Sequence, residues 1–467
     1  MKVSSIKTIV LGIFLSGSLL SCKVDDPSPS PVDPNNPNAA VNTWIYDQLK
    51  YWYLWTDKIP EKSKTNLTLP ADEYFYSILN DYPNTDRFSW IQEDSDELTA
   101  SLNGVNKVFG IKYTTYFLDN AQKNVGFFVT YVIKGSPAEK AGVKRGDIFL
   151  TVNGKQLDVD NYRTLMTSES ATFGVGKVVS GTYSLTGATI QVTKAEVQEN
   201  PVHYWTVFDK GSKKVGYLLY SQFLSAYDAN LRNVFAEFKT KGVNELILDL
   251  RLNPGGYISS ADVLSSLIVK NLNTNNVMHS DQWNANITKD APSYSNPAKF
   301  RNEPNNLGTL NRLVVLTSTG TASASELVIN TLKPYMDVIL IGDHTYGKNV
   351  GSITLKDDQV PARWKWGMQP IVLKSVNSKG ESNYGTKDGF TPDYTVKDNV
   401  VPFKAWGDES ETLLKKALEV ITGAVAVQVA PNARVSTTKI ASEPLQVNES
   451  ENPYQNRKEM YATPVKP

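Results

Sequence analysis

The sequence predicts a multidomain α/β protein: a small helical N-terminal domain, then a β-rich domain, then an α/β domain with a mostly parallel sheet. Three observations support this fold class. Apolar and aromatic residues recur at helical spacing in Thr43–Trp55 and Asp72–Leu79. Asn153-Gly154 is typical of the turn of a β-hairpin. From Asn200 onward, β-rich runs alternate with helical patterns, as expected of parallel strands joined by helices.

The third domain has the clearest alternation. Its candidate helices lie between β-rich runs, so the strands should lie side by side in one sheet. Asn271–Asn306 is polar and is expected to be a long surface excursion. The candidate helices are Leu231–Thr240 and Ser259–Val269, and the candidate strands are Val215–Tyr220, Leu246–Leu250, Leu313–Leu316 and Val338–Ile341, with late strands expected within Trp364–Val376.

The composition is that of ordinary folded domains. The chain has 467 residues, enough for about three domains of ~150 residues. Lys plus Arg and Asp plus Glu both number 48, so no bulk charge favours nucleic acid or an acidic substrate. Three histidines and one cysteine leave little material for a zinc site or a disulfide framework. We therefore expect no metal, no cofactor and no nucleic-acid partner.

The start of the chain has the pattern of a bacterial export signal. Lys2 and Lys7 precede an apolar stretch, Ile9–Leu20, that is too short to span a membrane as a mature helix. Cys22 stands where a lipobox places the lipidated cysteine; ordinary signal cleavage beside an incidental cysteine is the alternative. With lipidation, residues 1–21 form a signal peptide and residues 22–40 a linker. The protein is then expected in the bacterial cell envelope, lipid-anchored to the outer membrane, on its periplasmic or surface face.

The predicted helical domain, residues 41–104, is dense in aromatic side chains. Such a stripe usually forms a core, although it could also grip an extended peptide. The aromatic residues are Trp44, Tyr46, Tyr51, Trp52, Tyr53, Trp55, Tyr74, Phe75, Tyr76, Phe88 and Trp90.

The stretch from Asn311 to Ser352 has the order strand, turn, helix, strand, loop. Because the two strands of such a unit are parallel, their carboxyl ends share one edge of the sheet. Ser323 lies at the first of these ends and Lys348 just beyond the second, so a candidate nucleophile and a candidate base meet on one rim. The alternatives are an N-capping serine and a solvated loop lysine.

The loop that carries Lys348 also matches the spacing of a phosphate-binding loop, up to its last position. There Asn349 replaces the serine or threonine that would hold magnesium. A β-rich run, Val350–Leu355, follows where a phosphate loop requires a helix. Nucleotide binding is therefore rejected.

A glycine pair lies on the same predicted rim as Ser323. Pro254-Gly255-Gly256 follows a candidate strand and precedes a candidate helix. A bare amide of Gly255 or Gly256, together with that of Ala324, could hold the oxyanion of a tetrahedral intermediate. Without the serine and the lysine, a tight turn would explain the two glycines equally well.

These residues resemble the carboxy-terminal processing peptidases, or tail-specific proteases, over roughly residues 105–420. The resemblance implies a serine endopeptidase in which Ser323 is the nucleophile and Lys348 is its general base. It also selects Ser323 over Ser325, a choice that chemistry alone leaves open. The matching motifs are Thr321–Glu326, Tyr346–Lys348, Leu246–Gly256 and Gly389–Asp393.

Two positions depart from the family pattern. Ser352 stands where many members have a glutamine that orients the lysine, and Pro334 stands where an aspartate is common. Two alternatives therefore stay open. One is a catalytically inactive peptide-binding lipoprotein on the same scaffold. The other keeps hydrolysis but uses His344, four positions before Lys348, as the base.

Residues 105–196 resemble a PDZ domain. The resemblance rests on Val108–Ile111, which is similar to its carboxylate-binding loop, and on Gly135–Ile148, which is similar to its helix and following turn. The backbone amides of Phe109, Gly110 and Ile111 would bind a terminal carboxylate, while an open sheet edge adds the peptide as a strand.

The predicted function is therefore hydrolysis of peptide or protein substrates engaged by their C-terminal tails. The chemistry would be acyl transfer within the domain of residues 200–422, and it requires neither a metal nor a cofactor. Burial of Lys348 near Ser323 would favour the neutral amine that a base must be. Residues 423–467 are expected to be a flexible tail.

Overall fold

A computed structural model of the chain describes residues 36–179, 181–398, 401–424 and 459–462. The predicted signal peptide, Cys22 and most of the predicted linker lie outside these residues, as does most of the segment 423–467. Among the residues described, no helix has the length and apolarity needed to cross a membrane.

The N-terminal domain is helical, as predicted. In helix α1, Trp44, Ile45 and Leu49 recur at helical spacing and are buried. Tyr53 and Tyr74 are also fully buried, so these aromatic side chains form a core rather than an exposed peptide-gripping stripe. The elements are α1 (Ala39–Trp52), α2 (Ala71–Ser77), β1 (Trp90–Gln92) and α3 (Ser95–Leu102), with 3-10 turns at Thr56–Lys58 and Lys62–Lys64.

The PDZ-like domain is an antiparallel sheet with two short helices. Its sheet has the order β3-β4-β5-β7-β8, which leaves β3 at an edge, and β2 pairs separately with β9. Asn153 and Gly154, the predicted hairpin turn, both have positive φ, as a type I′ turn requires. The elements are β2 (Val105–Val108), β3 (Ile111–Phe117), β4 (Val125–Val132), α4 (Pro137–Lys140), β5 (Ile148–Val152), β6 (Lys155–Gln156), α5 (Tyr162–Leu165), β7 (Ser170–Val179), β8 (Thr182–Thr193) and β9 (Ala195–Gln198).

The C-terminal α/β domain is built on a sheet of order β10-β11-β12-β16-β17-β22. Only the β10–β11 pair of this sheet, within the described ranges, is antiparallel; the others are parallel, as predicted. The strands are β10 (Val202–Lys210), β11 (Lys213–Tyr220), β12 (Glu245–Asp249), β13 (Gly255–Tyr257), β14 (Val277–Trp283), β15 (Ala298–Lys299), β16 (Arg312–Thr317), β17 (Asp337–Gly342), β18 (Val350–Ser352), β19 (Leu355–Lys356), β20 (Gly367–Gln369), β21 (Ile371–Asn377), β22 (Tyr394–Thr395) and β23 (Glu459–Tyr461).

Helices cover both faces of the main sheet. Alternate residues of β16 enter different cores: Leu313 packs with helices α6, α7 and α9, whereas Val314 packs with α10. This alternation is what a sheet buried on both faces requires. The helices are α6 (Asp228–Thr240), α7 (Ile258–Ile268), α8 (Ala285–Asp290), α9 (Ala324–Leu332) and α10 (Thr412–Thr422), with 3-10 turns at Ser225–Tyr227 and Pro292–Ser295.

Two further sheets flank the site. One has the order β13-β23-β18-β21-β14-β15, and the other, β1-β20-β19, joins the N-terminal domain to the C-terminal domain. The prediction that Asn271–Asn306 is a surface excursion is wrong for strand β14. This strand pairs with β21, and its His279 is buried between Asp262 and Asp281. Polar side chains that pair with one another can thus be buried in a strand that hydropathy alone does not predict.

Candidate active site

Ser323 stands at the turn between β16 and α9. Its φ is 63° and its ψ is −112°, a backbone conformation that costs a non-glycine residue energy and that clusters at functional sites. The side chain is buried, and its Oγ has no hydrogen-bond partner among the residues the structure describes. A buried hydroxyl without a partner is costly, so this geometry favours a reacting group over a simple cap.

The neighbouring serine has a different role. Ser325 Oγ donates to the carbonyl oxygen of Asn253 at 3.0 Å. The same carbonyl accepts the N–H of Ala322 at 3.1 Å, which ties the glycine loop to the nucleophile turn. Because the Ser325 hydroxyl is engaged and the Ser323 hydroxyl is not, the structure favours Ser323 as the nucleophile on chemical grounds.

Glu326 joins the nucleophile turn to the lysine loop. Its Oε2 accepts the N–H of Ser323 at 2.8 Å and the N–H of Lys348 at 2.9 Å. Its Oε1 accepts the Thr345 hydroxyl at 2.5 Å and the Gly347 N–H at 2.7 Å. One carboxylate on the first turn of α9 therefore fixes the backbones of both candidate catalytic residues. Glu326 is part of the Thr321–Glu326 motif, but nothing in the sequence marks it as the link between the two loops.

The Glu326 carboxylate is fully buried. Burial raises its pKa from 4.5 to about 7, and its four hydrogen bonds act in the opposite direction. A buried carboxylate with four donors is sensitive to protonation, because a proton on either oxygen competes with a donor that the oxygen accepts.

Lys348 lies in the loop after β17, and its side chain is only 1% exposed. Its Nζ lies 5.2 Å from the centroid of the Phe88 ring, which belongs to the N-terminal domain. Arg87 donates to the Gly347 carbonyl at 2.7 Å, so the N-terminal domain packs directly on the lysine loop. A Cβ on Gly347 would lie 1.6 Å from the Thr386 carbonyl oxygen, which explains the glycine before the lysine. The sequence contained no signal for the contribution of Phe88 or Arg87.

The glycine pair forms the start of β13, beside the nucleophile turn. Gly255 and Gly256 have φ of 110° and 138°. The Gly255 N–H donates to the side-chain oxygen of Asn253 at 2.9 Å, so it is already engaged within its own loop. A Cβ on Gly256 would lie 2.1 Å from the Phe223 carbonyl oxygen. Gly255 is therefore the weakest of the three expected oxyanion donors, and the amides of Gly256 and Ala324 remain candidates.

The alternatives to Lys348 chemistry occupy the same loop. The His344 ring Nδ1 lies 2.9 Å from the carbonyl oxygen of Thr345, so His344 is bound to its own loop. Lys348 is followed by strand β18 rather than by a helix, which agrees with the rejection of a phosphate loop. No group of three or more potential metal-ligating side chains occurs in the described part of the chain.

The two departures from the family pattern have ordinary surroundings. Ser352 is buried in β18, where its hydroxyl lies 3.4 Å from the carbonyl oxygen of Met460. Pro334 lies in the turn after α9, which ends at Leu332 as the proline predicts.

The predicted carboxylate loop precedes the edge strand β3. Gly110 has a φ of 92°, and a Cβ there would lie 2.1 Å from the Cβ of Ser136. Phe109 is buried and Ile111 begins β3. The arrangement thus places these three residues at the end of an open edge, where strand addition is possible.

Models of known protein families match three parts of the chain. The model of peptidase family S41 matches residues 214–396, that of the S41 N-terminal domain matches 40–90, and a PDZ model matches 128–172. A probable CtpA-like serine protease of Staphylococcus aureus (strain COL) is 25% identical over 393 residues, covering 75% of this chain and 72% of the relative. A carboxyl-terminal-processing protease of Picosynechococcus sp. is 26% identical over 300 residues, covering 62% of this chain and 65% of the relative.

A solved structure is also similar. The crystal structure of an S41 protease from Bacteroides fragilis NCTC 9343 is 26% identical, covers 82% of this chain and 98% of its own, and has a TM-score of 0.70. The predicted fold class, with its N-terminal, PDZ and peptidase domains, is thereby confirmed. Residues 214–396 thus match peptidase family S41, and the protein is a serine-type peptidase.

Proposed function

We propose that this protein cleaves peptide or protein substrates, engaged by their C-terminal tails, through a Ser323–Lys348 acyl-enzyme mechanism. The observation that carries the proposal is the Glu326 carboxylate, which binds the N–H groups of both Ser323 and Lys348. A shared anchor of this kind holds a nucleophile and a base in a fixed relation, which is what general-base catalysis needs.

The mechanism follows from the chemistry of these residues. Neutral Lys348 removes the proton of the Ser323 hydroxyl, and the resulting alkoxide attacks the carbonyl carbon of the substrate peptide bond. The amides of Gly256 and Ala324 stabilise the oxyanion of the tetrahedral intermediate. Lys348 then returns the proton to the leaving amine, and water hydrolyses the acyl-enzyme. This mechanism requires the neutral amine of Lys348, a residue that is only 1% exposed.

The preference for C-terminal tails is supported by the PDZ domain and by the relatives. A curated relative is named a carboxyl-terminal-processing protease. Strand β3, at an edge of the PDZ sheet and preceded by Gly110, suits a peptide that adds as a strand and ends in a carboxylate. The protein would act in the bacterial cell envelope, anchored to a membrane through lipidated Cys22.

The experiment that tests the proposal compares three purified variants on an unfolded protein reporter. Ser323→Ala removes the nucleophile and should lower turnover by about 10⁴-fold. Lys348→Arg should lower turnover by a similar factor, because arginine keeps the positive charge but does not deprotonate. His344→Ala should retain most of its activity. A matched control is Lys239→Arg, which changes an exposed lysine in α6 that donates to the Pro304 carbonyl.

The outcomes separate the alternatives. If Lys348→Arg stays active while His344→Ala loses turnover, His344 is the base. If the folded wild type binds peptide tails but shows neither turnover nor labelling of Ser323 by a fluorophosphonate, the protein is the catalytically inactive binding protein. Folding of each variant is checked by circular dichroism.

A further inference from the structure

A strand from far along the chain lies inside the candidate active site. Strand β23 (Glu459–Tyr461) is inserted between β13 and β18 and runs parallel to both. Its register pairs Glu459, Met460 and Tyr461 with Gly255, Gly256 and Tyr257. On its other side, Tyr461 pairs with Ser352.

The inserted strand is held by its side chains as well as its backbone. Met460 is fully buried in the main core. The Tyr461 hydroxyl donates to the Leu102 carbonyl at 2.6 Å, and its ring packs edge-on against Tyr257 with centroids 4.2 Å apart. The N–H of Ala462 donates to the Ser352 carbonyl at 3.1 Å.

Both neighbours of this strand belong to the catalytic machinery proposed above. Strand β13 contains Gly256, the candidate oxyanion donor, and β18 begins two residues after Lys348. Two strands with a gap between them offer backbone donors and acceptors on both sides of the gap, which an extended peptide satisfies whatever its sequence. Ser323 and Lys348 are 0% and 1% exposed in this arrangement, so a neighbouring segment must move before a substrate can reach them.

We propose that the gap between β13 and β18 is the groove for the substrate strand, and that Glu459–Ala462 fills it as an intramolecular competitor. This inference rests on the proposed function. The occupant also indicates which substrate the groove takes: an extended segment with a large apolar side chain at the place of Met460 and an aromatic one at the place of Tyr461. Substrate must displace the segment before it can be cleaved.

The strength of this competition follows from effective concentration. A tethered segment competes at an effective concentration on the order of 1 mM. Suppose that the free peptide binds with a Kd of about 0.1 mM. The tethered segment would then raise the apparent KM about tenfold, because this factor is the effective concentration of the segment divided by that Kd. Release of the segment should therefore lower KM with little effect on kcat.

The test uses the full chain with Met460→Asp, because a charged side chain at a fully buried position should expel the strand. We expect KM for a reporter peptide to fall about tenfold with kcat nearly unchanged. A synthetic peptide with the sequence of residues 457–464 should inhibit this variant competitively, whereas a scrambled peptide should not. Met460→Leu is the matched control and should behave as wild type.

A second variant does not depend on expelling the strand. Tyr257 and Tyr461 are register partners, and adjacent strands about 4.8 Å apart fall within the Cα separation that a disulfide spans. The double variant Tyr257→Cys/Tyr461→Cys, made with Cys22→Ala, should be inactive when oxidised. Its turnover should rise at least about tenfold on reduction with dithiothreitol.

Four results would overturn the inference. They are an unchanged KM in folded Met460→Asp, loss of its fold, failure of the 457–464 peptide to compete, and equal activity of the oxidised and reduced double variant. Loss of fold counts because it assigns the strand a structural role. Fluorophosphonate labelling of Ser323 distinguishes the two proposals: labelling with unchanged KM leaves the Ser323 function standing, whereas a folded Met460→Asp variant that is not labelled contradicts both.

Discussion

Replacing Glu326 with glutamine should weaken the link between the nucleophile and its base without changing either of them. Glu326 accepts four hydrogen bonds, two on each carboxylate oxygen. Glutamine offers one acceptor oxygen, and its NH₂ group would face two donors. A buried donor left without an acceptor costs about 1–3 kcal/mol. The two donors that would face the NH₂ group should therefore destabilise the folded state by about 2–6 kcal/mol.

The catalytic effect should exceed what the loss of stability explains. The N–H groups of Ser323 and Lys348 share one oxygen of Glu326, so a change there shifts both backbones. A displacement of about 1 Å can lower turnover ~10²-fold. We expect kcat/KM per folded molecule, measured on an unfolded reporter, to fall by about that factor in Glu326→Gln. Fluorophosphonate labelling of Ser323 should slow in parallel.

The matched control is Glu303→Gln. Glu303 is also buried and accepts hydrogen bonds from Arg232, at 2.8 to 3.1 Å. This variant should lose stability in thermal unfolding yet keep its kcat/KM per folded molecule. A Glu326→Gln variant that keeps the labelling rate and kcat/KM of the wild type would refute this role of Glu326.

The pH dependence provides an independent measurement of the same carboxylate. Burial raises the pKa of Glu326 to about 7, so between pH 4.5 and 7 the folded state holds a proton that the unfolded state has lost. Stability should therefore be greatest below pH 4.5 and fall as the pH rises towards 7, by about 3 kcal/mol in total. Activity should rise over the same range, because the four donors need an unprotonated acceptor. Glu326→Gln should lack this contribution to the pH dependence of stability; an unchanged slope would contradict the assignment.

Three further predictions concern other parts of the molecule. Gly256→Ala places a Cβ 2.1 Å from the Phe223 carbonyl oxygen at a φ of 138°, so it should abolish reporter cleavage while far-UV circular dichroism stays close to wild type; full activity would exclude a role for this loop. Peptides with a free, apolar C-terminal residue should bind the full chain more tightly in calorimetry than their amidated forms, and Gly110→Ala should remove the difference, whereas equal affinities would refute carboxylate capture. Cys22→Ala should release the protein from the membrane fraction or leave its precursor uncleaved, and a processed variant that stays with the membrane would refute lipidation.

Local sequence patterns determined the framework of the active site. The β-rich runs and the intervening helical pattern of residues 311–352 predict β16, α9 and β17, and the structure has all three. Because strands joined by a helix are parallel, the positions of Ser323 and Lys348 at one edge follow from chain order alone. The glycine pair also follows a predicted strand in the sequence, although the close approach of the Phe223 carbonyl oxygen to Gly256 is seen only in the folded chain.

The remaining features depend on residues that are far apart in sequence. Glu326 contacts a loop about twenty residues away, the engagement of Ser325 depends on Asn253, and Phe88 reaches Lys348 from another domain. Strand β23 is the extreme case: it lies in a segment predicted to be a flexible tail, yet it pairs with Gly255–Tyr257, some two hundred residues earlier. A three-residue strand has too little periodicity to be predicted from its own sequence. Its place was decided by the tertiary structure, because only the folded chain brings β13 and β18 close enough to leave a gap that a strand can fill.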